Sequence, residues 1–93
     1  MKIFGMGSGG REHATALRLS RDAADVQQVW LPGHPGIANV PGCSCVHVPD
    51  MSIDSAVELA RQLKPDLCVA WSEDWLAAGI CDRFREYGLK IFG

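Results

Sequence analysis

The sequence lacks any run of about 18 consecutive apolar residues, the length that a membrane-spanning helix requires. It also lacks an excess of basic charge, with nine lysines and arginines against eleven aspartates and glutamates and a net charge of −2. Because surfaces that bind nucleic acids are usually basic, we expect neither a membrane nor a nucleic acid as partner. The first residues show no charged segment followed by an apolar one, as a signal peptide would. We therefore expect a cytoplasmic protein.

Cysteine occurs four times, but no pair has the C-x-x-C spacing of many metal and redox sites. Cys43 and Cys45 form a C-x-C pair, and His47 beside them is the one hint of a metal-ligand set. Cys68 lies in an apolar run and Cys81 in a helical pattern, where buried thiols are common. We expect four free thiols and no bound metal.

A chain of 93 residues, 47% of them hydrophobic, has the size and composition of one globular domain. Short apolar segments typical of strands alternate with amphipathic segments typical of helices. Such alternation predicts a parallel sheet whose strands are joined by right-handed crossovers. We therefore predict a three-layer α/β domain over residues 1–93, with a parallel sheet of four to five strands.

The predicted elements follow one another with short connections. The strands are expected at residues 2–4, 27–31, 45–48, 66–70 and 89–92. The helices are expected at about residues 11–21 and 53–63, and from residue 73 to the glycine at residue 88. The last helix has an apolar stripe formed by Leu76, Ile80 and Phe84. The segment 32–36 contains two prolines and two glycines, so we expect neither a helix nor a central strand there.

Three glycines around the end of the first predicted strand have the spacing G-x-G-x-x-G, namely Gly5, Gly7 and Gly10. Glycine permits a tight turn and a close approach of backbone to ligand. The helix that follows points free N–H groups and the positive end of its dipole at that ligand. The pattern is typical of a cradle for an anion, most often a phosphate, although a tight turn without a ligand has the same pattern.

Two common uses of such a loop are disfavoured. A dinucleotide site needs an acidic residue at the end of the second strand, where this chain has Leu31, Pro32 and Gly33. A P-loop needs a lysine followed by serine or threonine, which the loop lacks. A small nucleotide- or flavin-binding domain remains a weaker alternative.

The charged residues at the start of the first helix allow two interpretations each. Arg11 can pair with a phosphate or with Glu12. A carboxylate in the first turn, such as Glu12, is stabilised by the helix dipole without any ligand. His13 is expected to be a packed helix residue, and Ser72, Glu73 and the next aspartate form good capping chemistry by themselves. No set of residues has the arrangement of a catalytic centre.

The eight-residue run from Gly7 to Ala14, G-S-G-G-R-E-H-A, resembles the amino-terminal signature of the phosphoribosylamine–glycine ligase family. The segment 32–36 is similar to the P-G-N-x-G loop of that family, with His34 where the family usually has asparagine. The similarity continues in order at Glu73, Leu76, residues 79–80 and residues 88–93. The resemblance therefore covers the whole chain.

The resemblance implies a Rossmann-like pre-ATP-grasp domain that helps to hold phosphoribosylamine, a small phosphate monoester. In the family, an ATP-grasp body follows this domain and binds ATP and magnesium. The family joins glycine to phosphoribosylamine through a glycyl phosphate, giving glycinamide ribonucleotide, ADP and phosphate. The implied substrate contacts are Gly7, Ser8, Gly9, Gly10, Arg11, Glu12 and Glu73. Further loop contacts are implied for Gly33, His34 and Gly36.

The resemblance ends where the family's amino-terminal domain ends, before the ATP-grasp body. We therefore expect a domain without an ATP-grasp body, without cofactors of its own, and inactive as a ligase when alone. Its partner would be the missing ATP-grasp domain or a second copy. Trp71 and Trp75 stand where the family has smaller or rigid residues. The alternative is thus a stand-alone dimeric interaction module whose ligand site these tryptophans fill.

Overall fold

A computed structural model describes residues 1–22, 25–48, 50, 52–70 and 72–92. Its strands are β1 (Lys2–Gly7), β2 (Gln27–Pro32), β3 (Cys43–Cys45), β4 (Leu67–Ala70) and β5 (Ile91–Phe92). Its helices are α1 (Gly10–Asp22), α2 (Pro35–Ala38), α3 (Ile53–Leu63), α4 (Glu73–Ala77) and α5 (Ile80–Glu86). Within the described residues, no helix is long and apolar enough to cross a membrane.

The five strands form one parallel sheet in the order β3-β2-β1-β4-β5. β1 lies in the centre, where Phe4 pairs with Val29 of β2 on one side and Cys68 of β4 on the other. Along the chain, β2 and β3 are added on one side of β1, and β4 and β5 are then added on its other side. The predicted α/β, Rossmann-like fold is confirmed. The reversal leaves a crevice at the carboxyl ends of β1 and β4, where ligands of such sheets bind.

Both faces of the sheet are covered, because successive side chains of a strand point to opposite faces. Phe4 and Met6 of β1 belong to the larger core cluster, which includes residues of α3 and α5. The rings of Phe4 and Phe84 stack with centroids 6.3 Å apart. On the other face, Ile3 packs with residues that include Leu19 of α1. The result is the predicted arrangement of three layers, helices on either side of the sheet.

Trp30 of β2 is fully buried and lies against Gly5 of β1, its partner in the parallel register. A methyl group built on Gly5 would overlap the indole ring. The indole Nε1–H donates to Oε1 of Gln28 at 3.0 Å, and Nε2 of Gln28 donates to the carbonyl of Ala16 in α1 at 3.1 Å. The first glycine of the G-x-G-x-x-G pattern therefore accommodates a core tryptophan rather than a ligand.

The segment 35–38 forms the short helix α2, so the prediction of no helix there is wrong. Pro35 occupies the first turn, where the missing N–H has no helical partner to lose. Nδ1 of His34 accepts a hydrogen bond from the Gly36 N–H at 3.0 Å and caps this turn. Capping thus turns an apparent breaker segment into the start of a helix.

The helix predicted from residue 73 to 88 is instead two helices, α4 and α5. Gly79 lies between them with φ 85°, in the left-handed region that ends one helix before the other begins. Ile80 and Phe84 are fully buried, but Leu76 is 37% exposed. The predicted stripe fails at Leu76 because the break at Gly79 changes the direction of the helix.

The strand boundaries differ from prediction mainly in β1, β3 and β5, the last of which is Ile91–Phe92 rather than residues 89–92. β1 extends through the glycines to Gly7, because pairing with β2 continues to Pro32. β3 begins at Cys43 rather than residue 45 and ends at Cys45. All four cysteines are free thiols, and burial raises the pKa of the Cys68 thiol to about 12. Cys68 is therefore a core residue that stays protonated at neutral pH.

Replacing Gly5 by alanine is expected to lower the free energy of unfolding by about 1–3 kcal/mol, because the new methyl group must displace the Trp30 indole. Gly10→Ala is the matched control, since no atom lies within 4 Å of a methyl group built at that position. Urea denaturation followed by far-UV circular dichroism measures both variants. Equal stabilities of the two variants would contradict the packing role of Gly5.

Candidate functional site

A cavity of about 430 Å³ lies at the carboxyl edge of the sheet, in the crevice between the ends of β1 and β4. Its described lining comes from the loop after β1, the end of β2, the start of α3 and the segment from the α4 cap to its end. The lining residues are Gly7, Ser8, Pro32, Ser52, Ile53, Ser72, Asp74, Trp75 and Ala78. The volume is within the range of about 300–1,000 Å³ that is usual for small-molecule sites.

The glycine loop is shaped around the side chain of Glu12. Glu12 is only 5% exposed, and its Oε2 accepts a hydrogen bond from the Gly9 N–H at 3.1 Å. Gly7 has φ 134°, and a side chain there would overlap the Glu12 carboxylate. The loop thus already contains one anion at the start of α1, supplied by the protein itself.

This geometry changes what Glu12 can do. Glu12 was expected as a substrate contact, with stabilisation by the helix dipole as the alternative interpretation. The structure places its carboxylate inside the loop, against Gly7 and Gly9. Glu12 is therefore positioned to hold the loop conformation rather than to face the cavity.

The outer side of the same loop is exposed at Ser8, Gly9, Gly10 and Arg11. Of these, Ser8 also lines the cavity together with Gly7. Ser8 therefore belongs both to the cavity lining and to the exposed segment that leads into α1. A ligand that contacts Ser8 can reach both.

The loop of residues 32–36 contains three of the implied contacts, Gly33, His34 and Gly36. It lies beside a second cavity of about 460 Å³. Gly33 and His34 line that cavity, which meets the first one at Pro32. The rings of His34 and His13 make an edge contact, with centroids 5.0 Å apart. His13 is thus a packed helix residue, as expected.

Gly36 lies beneath these two imidazoles. A methyl group built there would approach Cε1 of His34 to 2.7 Å and Cε1 of His13 to 2.9 Å. The absence of a side chain at Gly36 therefore lets α2 pack closely against α1.

The segment around α4 contributes residues that the sequence analysis interpreted as helix caps rather than as contacts. Ser72 and Asp74 line the cavity, whereas Glu73 is exposed and lies outside its described lining. Trp75 is 8% exposed and packs in the core while forming part of the cavity wall. Trp71 lies outside the described residues.

Ile53 and the N-cap residue of α3, Ser52, reach the cavity from the start of that helix. The Ser52 hydroxyl caps the helix, accepting from the Ser55 N–H and donating to Asp50, both at 3.1 Å. Hydrogen bonds from Ser55 and Ser52 lower the pKa of the Asp50 carboxyl. The position in space of this distant helix, and not a motif, brings Ser52 to the site.

The described lining combines three serine hydroxyls and one carboxylate, Asp74, with the apolar surfaces of Ile53 and Trp75. It contains neither lysine nor arginine among the described residues. Hydroxyls donate and accept, and a carboxylate accepts only. Such a cavity suits an uncharged, hydroxyl-bearing group with an apolar face. The described residues also contain no group of three or more metal-ligating side chains that could hold a metal ion.

The sheet order defines a Rossmann-like α/β domain, and the cavity lies at the switch point of its sheet. Residues 1–93 match the family model of the phosphoribosylglycinamide synthetase N domain, and the chain belongs to this family. The resemblance seen in the glycine loop is therefore confirmed over the whole chain.

The relatives are longer proteins. A phosphoribosylamine–glycine ligase of Xanthomonas campestris pv. campestris is 38% identical over 93 residues, all of this chain and 22% of the relative. One of Allochromatium vinosum is 40% identical over 94 residues, again covering 22% of the relative. One of Halalkalibacterium halodurans is 37% identical over 94 residues, which are 21% of the relative. The chain thus spans about a fifth of the length of these curated relatives.

Removing the Glu12 carboxylate is expected to destabilise the glycine loop. Glu12→Ala should lower the free energy of unfolding by about 1–3 kcal/mol, because the part-buried hydrogen bond from the Gly9 N–H to a charged acceptor is lost. Glu12→Gln should lose less, since its amide oxygen can still accept. Glu58→Ala, an exposed glutamate of α3, is the control for urea denaturation. A Glu12→Ala protein as stable as this control would show that the contact contributes nothing.

Proposed function

We propose that this domain binds a phosphoribosylamine-like phosphate monoester as the substrate-binding amino-terminal part of a phosphoribosylamine–glycine ligase system. The observation that carries the proposal is the cavity at the sheet's switch point, one wall of which is the glycine loop. That loop also carries the family signature, and the relatives are named for this ligase. In this role the site binds the substrate and contains no catalytic residue.

In this proposal, the phosphate lies on the exposed side of the glycine loop. The first N–H groups of a helix lack helical acceptors and lie at the positive end of the dipole. Glu12 uses the Gly9 N–H, so the phosphate is assigned to the backbone of Gly10 and Arg11, with the Ser8 hydroxyl and the Arg11 side chain beside it. Gly33 and His34 would contact only a ligand that extends past Pro32 into the second cavity.

The alternative of a dimeric module rests on tryptophans that fill the site. Trp75 is buried, and a cavity of about 430 Å³ remains beside it, which favours ligand binding over a filled site. Trp75 also presents little surface to a partner. A dimer that persists in sedimentation velocity at low micromolar concentration, together with no binding of ribose 5-phosphate, would favour the module instead.

The cavity does not suit ATP with magnesium. A bound triphosphate needs cationic groups and oxygen ligands for the metal, whereas the described lining offers one carboxylate and no lysine or arginine. We therefore assign no step through ATP to this site. In the proposed system that chemistry belongs to a part of the relatives that this chain does not match.

Titration with ribose 5-phosphate tests the proposal. We expect saturable binding, measured by isothermal titration calorimetry and by tryptophan fluorescence, to which Trp75 in the cavity wall contributes. Arg11→Ala should weaken binding about tenfold, the scale of one charge-assisted hydrogen bond. Arg21→Ala, an exposed arginine in the last turn of α1, is the control. No heat and no fluorescence change at millimolar ligand would overturn the proposal.

We also propose that these 93 residues do not catalyse the ligation by themselves. The supporting fact is that the relatives named for the activity match this chain over about a fifth of their length. Incubation with ATP, magnesium, glycine and phosphoribosylamine should release no ADP above the glycine-free background. Glycine-dependent ADP release by the purified chain would contradict this part of the proposal.

A further inference from the structure

The polar side chains that line the first cavity come from different elements, and they differ in whether they already make hydrogen bonds that cap a helix. The hydroxyl of Ser52 is used in capping α3. Ser72 is the N-cap residue of α4, but its side chain makes no capping hydrogen bond. Asp74 follows two residues later, exposed and on the cavity wall. Ser72 and Asp74 therefore form a polar wall whose side chains are not used to cap their own helix.

The α4 side of the cavity and the start of α1 differ in charge, and this difference favours one orientation of a ligand. The cavity wall at α4 carries the Asp74 carboxylate, and its described lining has no cation to neutralise it. A phosphate against Asp74 would be repelled, because like charges at short range disfavour each other. The start of α1 on the far side of Ser8 has the opposite character, since a helix N-terminus favours an anion.

We propose that Asp74 is a specificity-determining residue that accepts hydrogen bonds from the vicinal hydroxyls of a ribosyl group in this cavity. The inference rests on the proposed function and adds the orientation of the ligand. The phosphate lies at the glycine loop, and the sugar extends from Ser8 toward α4. A carboxylate has two acceptor oxygens and matches two neighbouring hydroxyl donors. Ile53 and Trp75 cover the apolar face of the ring, and Ser72 adds a hydroxyl.

The geometry of α4 gives Asp74 and Glu73 different surroundings. The family resemblance points to Glu73, but consecutive residues of a helix point about 100° apart. In α4, Asp74 lines the cavity, and Glu73 is exposed outside its described lining. The structure thus assigns sugar recognition to Asp74, the next residue along the helix.

The test compares three ligands by isothermal titration calorimetry with the full 93-residue chain. The ligands are ribose 5-phosphate, 2-deoxyribose 5-phosphate and inorganic phosphate. The wild type should bind ribose 5-phosphate about tenfold more tightly than the 2-deoxy compound, the scale of one hydrogen bond to a charged group. Asp74→Asn should reduce that ratio to about two or less while its affinity for inorganic phosphate stays the same or rises.

Asp82→Asn is the matched control, because Asp82 is an exposed aspartate in the first turn of the other short helix, α5. Its ligand ratio should equal that of the wild type, and circular dichroism of every variant checks folding. An unchanged ratio in Asp74→Asn, or loss of the ratio in Glu73→Gln instead, would overturn the inference and leave the proposed function standing. Failure of the wild type to bind ribose 5-phosphate would overturn both.

Discussion

The contact between the Trp30 indole and Gly5 determines how the first helix meets the sheet. Trp30 lies over the central strand, and its hydrogen bond to Gln28 continues to the backbone of Ala16 in α1. This chain of contacts sets the distance and rotation of α1 relative to β1. The glycine loop joins those two elements, so its shape depends on a buried contact two residues before the loop begins. The site at the edge of the sheet is thus a consequence of packing in its interior.

The glycines of the loop serve different purposes although they form one motif. Gly5 admits an aromatic ring, Gly7 turns the chain and leaves space for the Glu12 carboxylate, and Gly10 begins the helix with open space beside it. The motif therefore specifies a strand, a turn and a helix that fit together, and Gly7 with Ser8 also lines the cavity. This explains why the same spacing occurs in domains that bind quite different molecules.

Sequence reasoning predicted the order of elements and the class of fold, because apolar strands and capped helices alternate along the chain. It could not predict α2, since the side chain of His34 supplies a cap that composition does not reveal. It also could not predict that Asp74 rather than Glu73 lines the cavity. That difference depends on the rotation of a five-residue helix, which is set by burial of Trp75. Ser52 was recognisable as a cap, but only the packing of α3 against the sheet brings it to the site.

The hydrogen bond between His34 and Gly36 has a consequence for how the second loop is compared with its family pattern. The acceptor is Nδ1 of the imidazole, 3.0 Å from the Gly36 nitrogen. An asparagine at this position, as in the P-G-N-x-G pattern, would offer its side-chain oxygen to the same N–H. The exchange of asparagine for histidine therefore keeps a side-chain acceptor for the Gly36 N–H. It replaces an amide with an aromatic ring, which contacts the His13 ring of α1 and lines the second cavity.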